Sequence, residues 1–432
     1  AGDGSAPENG LTREEWIRRV GREGSGADNG AGAAGYSAAQ ALREEGFDIH
    51  YIHRADRTGF KAGALENGLK TAKGELIAIF DADFIPAPSF LKNIVPHFAD
   101  ANTGLVQARW SHLNREQNSL TRIQTILLDT HFSIEQGGRS KAGYFINFCG
   151  TAGIWRRQCI LDAGGWDGDV LSEDLDLSYR AQLKGWQLIY QQEVEVPAEL
   201  PSVMEAFKVQ QFRWTKGMAQ VSKKTMRRLL QAKVPLFKKL HGVFHLLSSF
   251  VFVCLLVNAL LTVPLLLFRN LYPEFITLTQ YSLFTGINLI ALTLFYYHGS
   301  KSTTDKPLSF FKHYPLFVMV YMGMSVQNAI AVVQGLWGIR SPFIRTPKFN
   351  HAQKGNSYVK KRRHWIHYVE MGVFSYFMLG IGLSVWLNDY FMILFFVMIS
   401  AGLGYIIFGA WAPVASGKVV QAKAPVQYQK AG

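Results

Sequence analysis

Two carboxylates separated by a single residue are the first feature of the sequence that could carry out chemistry. Asp81 and Asp83 directly follow residues 76–80, an apolar run with the length of a short strand. Mg²⁺ and Mn²⁺ prefer oxygen ligands, and a bound ion is commonly shared between one or two carboxylates and substrate phosphates. The pair therefore predicts a Mg²⁺ or Mn²⁺ site for a phosphate-bearing substrate, although Asp-x-Asp is common and also fits an ordinary turn.

A second acidic cluster, Ser172-Glu173-Asp174, lies at the start of a predicted helix over residues 175–183. A carboxylate at a helix start is often only a cap for backbone N–H groups. The same side chain can also act as a general base that removes a proton from an acceptor hydroxyl. Between the two clusters lies the loop Gly150, Thr151, Ala152 and Gly153. Its glycines permit a close approach of the backbone to a ligand, although a plain loop is equally compatible with them.

A third candidate element, Gln210-Gln211-Phe212-Arg213-Trp214, lies on a predicted basic helix just before the first long apolar run. The planar guanidinium of Arg213 can hold phosphate oxygens, and Trp214 offers a flat apolar face to a ring. The alternative is a tryptophan at a membrane interface beside an arginine that faces lipid headgroups. The element alone does not decide between these interpretations.

The elements that must position these side chains are short and alternate in type. Helices are predicted over residues 37–45, 61–72 and 88–99, and strands over residues 48–53, 76–80 and 104–108. Short apolar strands that alternate with helices indicate an α/β domain with a largely parallel sheet. Ligands bind such sheets at the carboxyl ends of strands, which is where Asp81 and Asp83 lie. Residues 1–32, rich in Gly, Ala and Asn, are predicted to be disordered.

Beyond residue 240 the composition changes to long runs without charge. Residues 240–268, 276–297, 371–387 and 390–411 are long enough to cross a bilayer, which takes roughly 20 apolar residues in a helix. A soluble protein of 432 residues would have no core large enough to bury all of them. The sequence therefore predicts an integral membrane protein.

The charge and the cysteines exclude other classes of protein. The formal net charge is +13, but basic residues cluster directly before the first and a later apolar run, as is typical of cytoplasmic loops that contact anionic lipid. The sequence contains no motif of a nucleic-acid-binding fold, so no nucleic-acid partner is predicted. Cys149, Cys159 and Cys254 have neither metal-ligand nor disulfide spacing, and they are predicted to be small buried residues.

Charge also orients a fifth apolar stretch, residues 313–337. The loop after it carries Arg340, Arg345, Lys348, Lys354, Lys360, Lys361, Arg362 and Arg363. If the stretch crossed the membrane, these residues would lie outside, against the positive-inside tendency. The stretch also carries Ser325, Gln327, Asn328 and Gln334, which would be costly facing lipid. We therefore predict that it lies in the interface or re-enters, which leaves four crossings, with the α/β domain and the tail cytoplasmic.

The order of the motifs is more specific than any one of them. Asp-x-Asp, Gly-Thr-Ala-Gly, Ser-Glu-Asp, Gln-x-x-Arg-Trp and apolar spans follow one another in a series that resembles the processive family 2 glycosyltransferases. Within that family the chain looks closest to the glucomannan and mannan synthase-like branch of the cellulose-synthase-like group. The resemblance covers about residues 46–412. It includes Lys61-Ala62-Gly63-Ala64-Leu65, similar to a donor-binding segment, and residues 341–348, similar to a cytoplasmic gating segment.

The resemblance implies an α/β domain of the GT-A type, incomplete at its N-terminus, followed by an α-helical transmembrane domain. The implied parts are an atypical Gly-rich segment over residues 1–45, a catalytic domain over 46–200, basic interfacial helices over 201–240, a transmembrane region over 241–412 with a gating-like loop at 340–350, and a cytoplasmic tail over 413–432. Residues 1–45 show neither the Pro-x-Tyr-Asn-Glu-like turn nor the Asp-Asp-Ser pattern with which the family begins. An incomplete nucleotide-base pocket is therefore expected.

Residue by residue, the resemblance implies the following roles. Asp81 and Asp83 match the pair that binds diphosphate and metal, and the other donor contacts would be Lys61, Gln210 and Arg213. Asp174 matches the catalytic base, with Glu173 beside it. The acceptor would contact Trp214, Gly150, Thr151, Ala152 and Gly153. Gating would involve Phe343, Arg345, Thr346 and Lys348. Cys149 stands where Asn is more usual, which removes an amide from the acceptor side.

The implied activity is an inverting transfer of a hexose from UDP-glucose or GDP-mannose to a growing β-linked polysaccharide. Mg²⁺ or Mn²⁺ would be the cofactor, membrane lipid would surround the helices, and the catalytic domain would lie on the cytoplasmic side of an inner or plasma membrane, or its equivalent. Three alternatives stay open: a transferase that adds one sugar to a lipid acceptor, an inactive truncated homologue, and a non-catalytic membrane subunit or transporter.

Overall fold

An α/β domain is followed by a group of long apolar helices in the computed structural model, which describes residues 30–275, 283–301, 307–339 and 365–411. The helices of the α/β domain are α1 (Gly30–Glu44), α2 (Phe60–Thr71), α3 (Phe90–Ile94), α4 (Ser119–Thr130), α5 (Gly137–Lys141), α6 (Arg157–Asp162) and α7 (Glu173–Leu183). Its strands are β1 (Leu76–Ile79), β2 (Thr103–His112), β3 (Gly153–Arg156) and β4 (Gln187–Ala198). A 3₁₀ turn over Val95–Ala99 extends α3, and a π-helical segment over His131–Gln136 joins α4 to α5.

A long helix, α8, leads from this domain to the apolar helices. Its bounds are Met204–Gln231, and the helices after it are α9 (Leu236–Leu246), α10 (Val251–Leu271), α11 (Leu283–Lys301), α12 (Pro307–Gly323), α13 (Ser325–Leu336), α14 (Trp365–Trp386) and α15 (Ile393–Trp411). Short 3₁₀ turns over Ser248–Phe250 and Pro273–Phe275 flank α10. The predicted position of the Gln-x-x-Arg-Trp element on a helix is confirmed, and the helix predicted over residues 175–183 begins two residues earlier, at Glu173.

The sheet is mixed, so the predicted largely parallel sheet is wrong. Its strand order is β1-β3-β2-β4, in which β3 runs antiparallel to both of its neighbours and only β2 and β4 pair in parallel. The register places Ile79 opposite Gly153 and Gln107 opposite Gly153, so the end of β1 and the middle of β2 lie beside the start of β3. The antiparallel strand β3 therefore brings the Gly150–Gly153 loop beside the end of β1 and the middle of β2.

Apolar side chains cover both faces of the sheet because neighbouring strand residues point to opposite sides. Leu105 and Trp155 join one buried cluster with residues of α2, α6 and α7, while Val106 and Ile154 join another with residues of α3 and β4. The sheet is thus the middle layer of three. Helices hold it on both sides, which fixes the strand ends that carry the candidate site residues.

The predicted elements differ from the structure at two places outside the sheet order. Residues 48–53 do not form a strand, and Phe47, Tyr51 and Ile52 are exposed, so no partner strand buries this apolar run. Cys159 is buried as predicted, but Cys149 is only half-buried and Cys254 is exposed on α10. The helix predicted over residues 37–45 begins earlier, at Gly30, so residues 30–32 are helical and not disordered as predicted; the other predicted helices and strands lie within a few residues of α2, α3, β1 and β2. Residues 1–29, which include most of the segment predicted to be disordered, lie outside the described part.

Three described helices are long and apolar enough to cross a membrane by length and composition. They are Ser248–Leu271, Trp365–Trp386 and Ile393–Ala410. Helices α12 and α13 pass the same test as a pair bent by 44°, which fits a broken span or a re-entrant loop. The second predicted crossing, over residues 276–297, falls partly on α11 and partly on residues outside the described ranges. The number of crossings stays a prediction.

The polar side chains of α13 are buried against protein. Ser325, Gln327 and Asn328 are at most 3% exposed. Gln327 donates a hydrogen bond to the backbone carbonyl of Lys208 on α8, and Lys216 donates one to Gln334. Gln327 and Gln334 are therefore hydrogen-bonded to α8 instead of facing lipid, and the orientation of residues 313–337 stays a prediction.

Candidate active site

Lys61 joins three separate parts of the chain at the carboxyl end of β1. Its ammonium on α2 lies 2.7 Å from Asp81 Oδ1 and donates to the carbonyl of Gly150 at 2.8 Å. The backbone N–H of Asp81 donates to Thr151 Oγ1 at 2.8 Å. The strand end, the first turn of α2 and the loop before β3 therefore form one connected structure.

The loop before β3 has a backbone that few residue types adopt. Gly150 has φ +83° and Ala152 has φ +57°, in the left-handed region. A Cβ atom on Gly150 would lie 3.0 Å from Asp174 Oδ2 and 3.5 Å from Lys61 Nζ, so glycine is needed for both conformation and space. The close approach places the loop backbone directly against the carboxylate of Asp174.

Gln107 supports this loop from beneath. Its fully buried side chain donates to the carbonyls of Thr151 and Ala152 at 3.1 Å and accepts a bond from the N–H of Cys149 at 2.9 Å. Sequence reasoning missed this residue. The available signal was a polar amide in the otherwise apolar run Leu105-Val106-Gln107-Ala108, because a buried amide must find hydrogen-bond partners.

Glu173 and Asp174 begin α7 and face the same space. The N–H of Leu175 donates to Asp174 Oδ1 at 2.8 Å, and Ser178 Oγ donates to the Asp174 carbonyl at 2.6 Å. One carboxylate oxygen of Asp174 is thus held by the helix start, while Oδ2 lies toward Gly150. Asp174 is not the N-cap of α7, which is Ser172, so the predicted alternative of a plain helix cap does not apply to its side chain.

Arg213 reaches the same group of carboxylates from α8. Burial lowers the pKa of its guanidinium, and the negative charges of Glu173, Asp81 and Asp174 oppose that effect. Trp214 follows it, with its ring centroid 6.5 Å from that of Trp110 at the end of β2. Trp110 also packs on Phe84 and Phe132, at ring distances of 5.1 and 5.4 Å. An aromatic wall therefore flanks the charged group, and Trp110 is a second residue that sequence reasoning missed.

The pKa values of the two adjacent carboxyl groups at the start of α7, Glu173 and Asp174, are both raised. Burial, and then the adjacent charge of Asp174, raises the pKa of Glu173 to about 7 against the opposing effects of Lys61 and Arg213. Burial also raises the pKa of Asp174, against its bond from the Leu175 N–H and the charge of Lys61. A carboxylate with a raised pKa is a stronger base, which suits removal of a proton from a hydroxyl.

Cys149 is a neutral thiol in this environment. Burial, with the nearby charge of Asp174, raises its pKa to about 12. The amides of Gln136 and Asn147 lie 3.5 and 3.6 Å from its sulfur. Since thiolate is the nucleophilic form of cysteine, this residue lines the site without acting as a nucleophile.

The residues expected to hold a metal are compatible with a shared ion. Asp81 and Asp83 are both half-buried at the end of β1 and offer carboxylate oxygens. In the described ranges, no group of three or more His, Cys, Asp or Glu side chains is placed to hold a metal ion. This donor set fits Mg²⁺ or Mn²⁺ that takes further oxygens from substrate phosphates, and it does not fit an ion enclosed by protein ligands alone.

The structure brings together most of the predicted site residues. Those that meet at the ends of β1 and α7 are Lys61, Asp81, Gly150, Thr151, Glu173, Asp174 and Arg213. Asp83, Ala152, Gly153 and Trp214 lie on the same elements, and Gln210 is half-buried one turn before Trp214 on α8. Phe343, Arg345, Thr346 and Lys348, predicted for gating, lie outside the described residues.

A mixed sheet with acidic residues after β1 and at the start of α7 is the arrangement of a GT-A-type glycosyltransferase domain. Residues 33–217 match the family model described as glycosyltransferase like family 2. The matched segment contains every described site residue named above. The predicted family resemblance is therefore confirmed for this part of the chain.

Individual relatives point to one branch of that family. The chain is 41% identical over 235 residues to glucomannan 4-beta-mannosyltransferase 1 of Cyamopsis tetragonoloba, covering 51% of this chain and 45% of the relative. It is 42% identical over 219 residues to glucomannan 4-beta-mannosyltransferase 2 of Arabidopsis thaliana, covering 50% and 40%. The chain thus spans about half the length of the curated relatives it matches.

Solved structures are more distant. A mannosyltransferase of Pyrobaculum calidifontis, solved in complex with GDP-Man and Mn²⁺, is 19% identical, with a TM-score of 0.45, and the match covers 73% of this chain and 77% of that one.

Proposed function

We propose that the chain transfers a mannosyl residue, with inversion, from a nucleotide sugar to the growing end of a β-linked polysaccharide. The observation that supports this proposal is that Lys61, Asp81, Asp174 and Arg213 come together from four distant parts of the sequence. The names of the relatives support mannose as the transferred sugar and a glucomannan as the polymer. GDP-mannose is accordingly the proposed donor.

In the proposed reaction, Asp174 removes the proton from the acceptor hydroxyl as the oxygen of that hydroxyl attacks the anomeric carbon. The bond between that carbon and the diphosphate oxygen breaks, and the proton stays on the carboxyl group of Asp174. Its raised pKa supports this role. Trp214 and Trp110 offer flat apolar faces on which the acceptor sugar ring can rest.

Arg213 and Lys61 bind and orient the diphosphate in this proposal. Arg213 is already surrounded by carboxylates, and its planar fork suits phosphate oxygens. Lys61 holds the loop of Gly150 against the end of β1, which fixes the donor side of the active site relative to its acceptor side. A divalent ion on Asp83 and Asp81 would neutralise charge on the diphosphate when bound.

The membrane helices are proposed to hold this domain on the cytoplasmic face and to carry the product away. Three described helices are long and apolar enough to cross a membrane, and basic residues precede the first of them. The proposal places the gating-like residues 341–348 on the same side as the active site. Membrane lipid is then a partner of these helices.

One assay separates the candidate donors and products. Membranes that contain the chain, or its Asp174→Asn variant, are incubated with GDP-[¹⁴C]mannose or UDP-[¹⁴C]glucose in EDTA, Mg²⁺ or Mn²⁺, and the product linkage and length are determined. We expect metal-dependent, Asp174-dependent formation of a β-linked mannose polymer. Single additions to a lipid would indicate the lipid-acceptor transferase instead. Equal incorporation by the variant, or none by the wild type, would contradict the proposal.

A further inference from the structure

The long helix α8 contacts the candidate active site through one face. A Cβ atom on Gly217 would lie 2.1 Å from Ser172 Oγ, so the helix backbone packs directly on the residue before Glu173. The N–H of Leu171 donates to Gln220 at 2.9 Å. Lys224 completes this face, with ion pairs at 2.8 Å to Asp167 and Asp169. Arg213 lies on the same side, since these residues recur at helical spacing.

A second face of α8 is fixed to the apolar helices. Lys208 and Lys216 lie about two turns apart along it. The ammonium of Lys208 lies 2.8 and 2.6 Å from the two carboxylate oxygens of Glu370 on α14. The side chains are 9% and 0% exposed, so this ion pair is almost entirely buried. His367 Nδ1 lies 3.2 Å from the same carboxylate.

A second set of contacts lies further along the same face. Lys216, fully buried, donates to Gln334 on α13 at 3.0 Å. A Cβ atom on Gly335 would lie 2.7 Å from the carbonyl of Lys216, so α8 and α13 approach backbone to backbone. Gln327 reaches the carbonyl of Lys208. Helix α8 is therefore held at two points along its length, near Lys208 and near Lys216, by side chains other than Arg213 and Trp214.

A buried ion pair contributes little net stability because desolvation offsets much of the attraction. The ion pair does favour one position of α8 relative to α14, because any position that separates the two charges leaves both of them buried and unpaired. A rotation or a slide of α8 by one residue would break the pair. The same movement would carry Arg213 away from its carboxylates and Trp214 away from Trp110.

We propose that Lys208 and Glu370 are positioning residues for the sugar transfer: their buried ion pair fixes α8 in the one register that presents Arg213 and Trp214 to the active site. The inference rests on the proposed function, and it adds a link between a membrane-capable helix and the reacting groups. Neither residue touches the site itself. Their effect passes through α8.

The test compares the wild type with Lys208→Met, Glu370→Gln and the double variant, each as the full chain in membranes. The matched control is Lys223→Met, because Lys223 lies on the same face of α8 but is exposed, and its ammonium donates a hydrogen bond to the carbonyl of Leu336 and forms no ion pair with a described carboxylate. The readouts are kcat and the donor KM per folded molecule, and the share of consumed GDP-mannose that is hydrolysed to free mannose.

Each single variant is expected to lower kcat at least tenfold and to raise the hydrolysed share, because donor is still bound while the acceptor side is misplaced. The double variant is expected to lose no more than the worse single variant, since the two residues act as one pair. Lys223→Met is expected to stay within twofold of the wild type. A pair that only stabilises the fold would lower the melting temperature and leave kcat and the hydrolysed share unchanged, which would overturn the inference.

Hydrogen exchange separates this inference from the proposed function. Backbone amides of residues 171–176 are expected to exchange faster in Lys208→Met and Glu370→Gln than in Lys223→Met, whether or not a sugar is transferred. Unchanged exchange would overturn the positioning role even in an active enzyme. If the wild type transfers no sugar, the proposed function is contradicted. The hydrogen-exchange measurement still tests whether the Lys208–Glu370 ion pair positions residues 171–176. Should Lys208→Met not fold, Glu370→Gln keeps the side-chain shape and decides it alone.

Discussion

The ammonium of Lys61 lies 2.7 Å from the carboxylate of Asp81 and donates at the same time to the carbonyl of Gly150. One charge therefore connects the end of β1, which carries the acidic pair, to the loop that faces Asp174. The side chains of Lys61 and Asp81 are 26% and 45% exposed, so a substrate can still reach both. This link makes the donor side and the acceptor side of the site a single unit.

Replacing Lys61 by Met is expected to lower kcat/KM for the donor by about ten- to a hundredfold. Hydrogen bonds to charged groups contribute about 1.5–3 kcal/mol, and about 1.4 kcal/mol corresponds to a tenfold change. Donor titration in the transfer assay measures the effect. Lys70→Met, on an exposed position of the same helix, is the control and is expected to match the wild type. Equal losses in both variants would argue against a specific role for Lys61.

Asp174→Asn and Asp176→Asn are expected to fail in different ways. Asp176 is fully buried and pairs with Arg180 at 2.8 Å and Lys224 at 3.2 Å, so its neutralisation removes the carboxylate partner of Arg180 and one of the partners of Lys224 and lowers the melting temperature. Asp174→Asn is expected to lower kcat by about 10²–10⁴, the usual contribution of a general base. Thermal melts and steady-state kinetics on both variants distinguish them. A wild-type kcat in Asp174→Asn would exclude it as the base.

The transfer rate is expected to rise as the pH passes through about 7. Over that range Glu173 loses its proton, and its negative charge makes the neighbouring Asp174 a stronger base. The Glu173→Gln variant is expected to show a flatter pH profile. A pH–rate curve for both proteins at saturating donor checks this, and identical curves would remove Glu173 from the explanation.

The raised pKa of Glu173 also predicts that the stability of the fold depends on pH. The pKa of Glu173 is raised from 4.5 in its ordinary state to about 7 in the fold, so the native protein binds more protons than the unfolded chain between these values. Its contribution to stability is therefore full below about pH 4.5 and is lost as the pH rises through about 7. The melting temperature of the wild type, measured against that of Glu173→Gln, should fall over this interval.

Gly150→Ala and Gly143→Ala separate backbone strain from crowding of the site. Both glycines have positive φ, +83° and +68°, so either substitution strains the backbone and is expected to cost about 1 kcal/mol. Only at Gly150 would the new methyl group meet Asp174 and Lys61, since nothing lies within 4 Å at Gly143. We expect similar losses in melting temperature but a loss of kcat, at least tenfold, only for Gly150→Ala. Equal activity in both variants would contradict the close packing at Gly150.

Much of the fold and of the site could be predicted because its signals are local. The helix over residues 61–72, the strand before Asp81 and the helix that carries Arg213 all appear in the structure, as α2, β1 and α8. Their apolar spacing and their flanking glycines act within a few residues of chain. The motifs that follow one another in the sequence also lie close together in the structure, as one group of side chains.

The errors concern pairing between distant segments. Residues 48–53 look like a strand, yet no described strand pairs with them. The four residues of β3 are too short to show a pattern, yet they reverse the sheet between β1 and β2. Strand direction depends on which segments meet, and a short stretch of sequence carries no record of its partner.

By itself, then, the sequence determined which residues are available for chemistry, their order, and which segments are apolar enough for a membrane. Only the tertiary structure decided that Lys61 bridges Asp81 and Gly150, that Gln107 supports the loop, and that Glu173 is buried deeply enough to hold a proton near pH 7. The tertiary structure also decided that α8 carries Arg213 on one face and a buried ion pair on another. Distance, burial and the electric field at a side chain arise from contacts between residues far apart in the chain, and these exist only once it has folded.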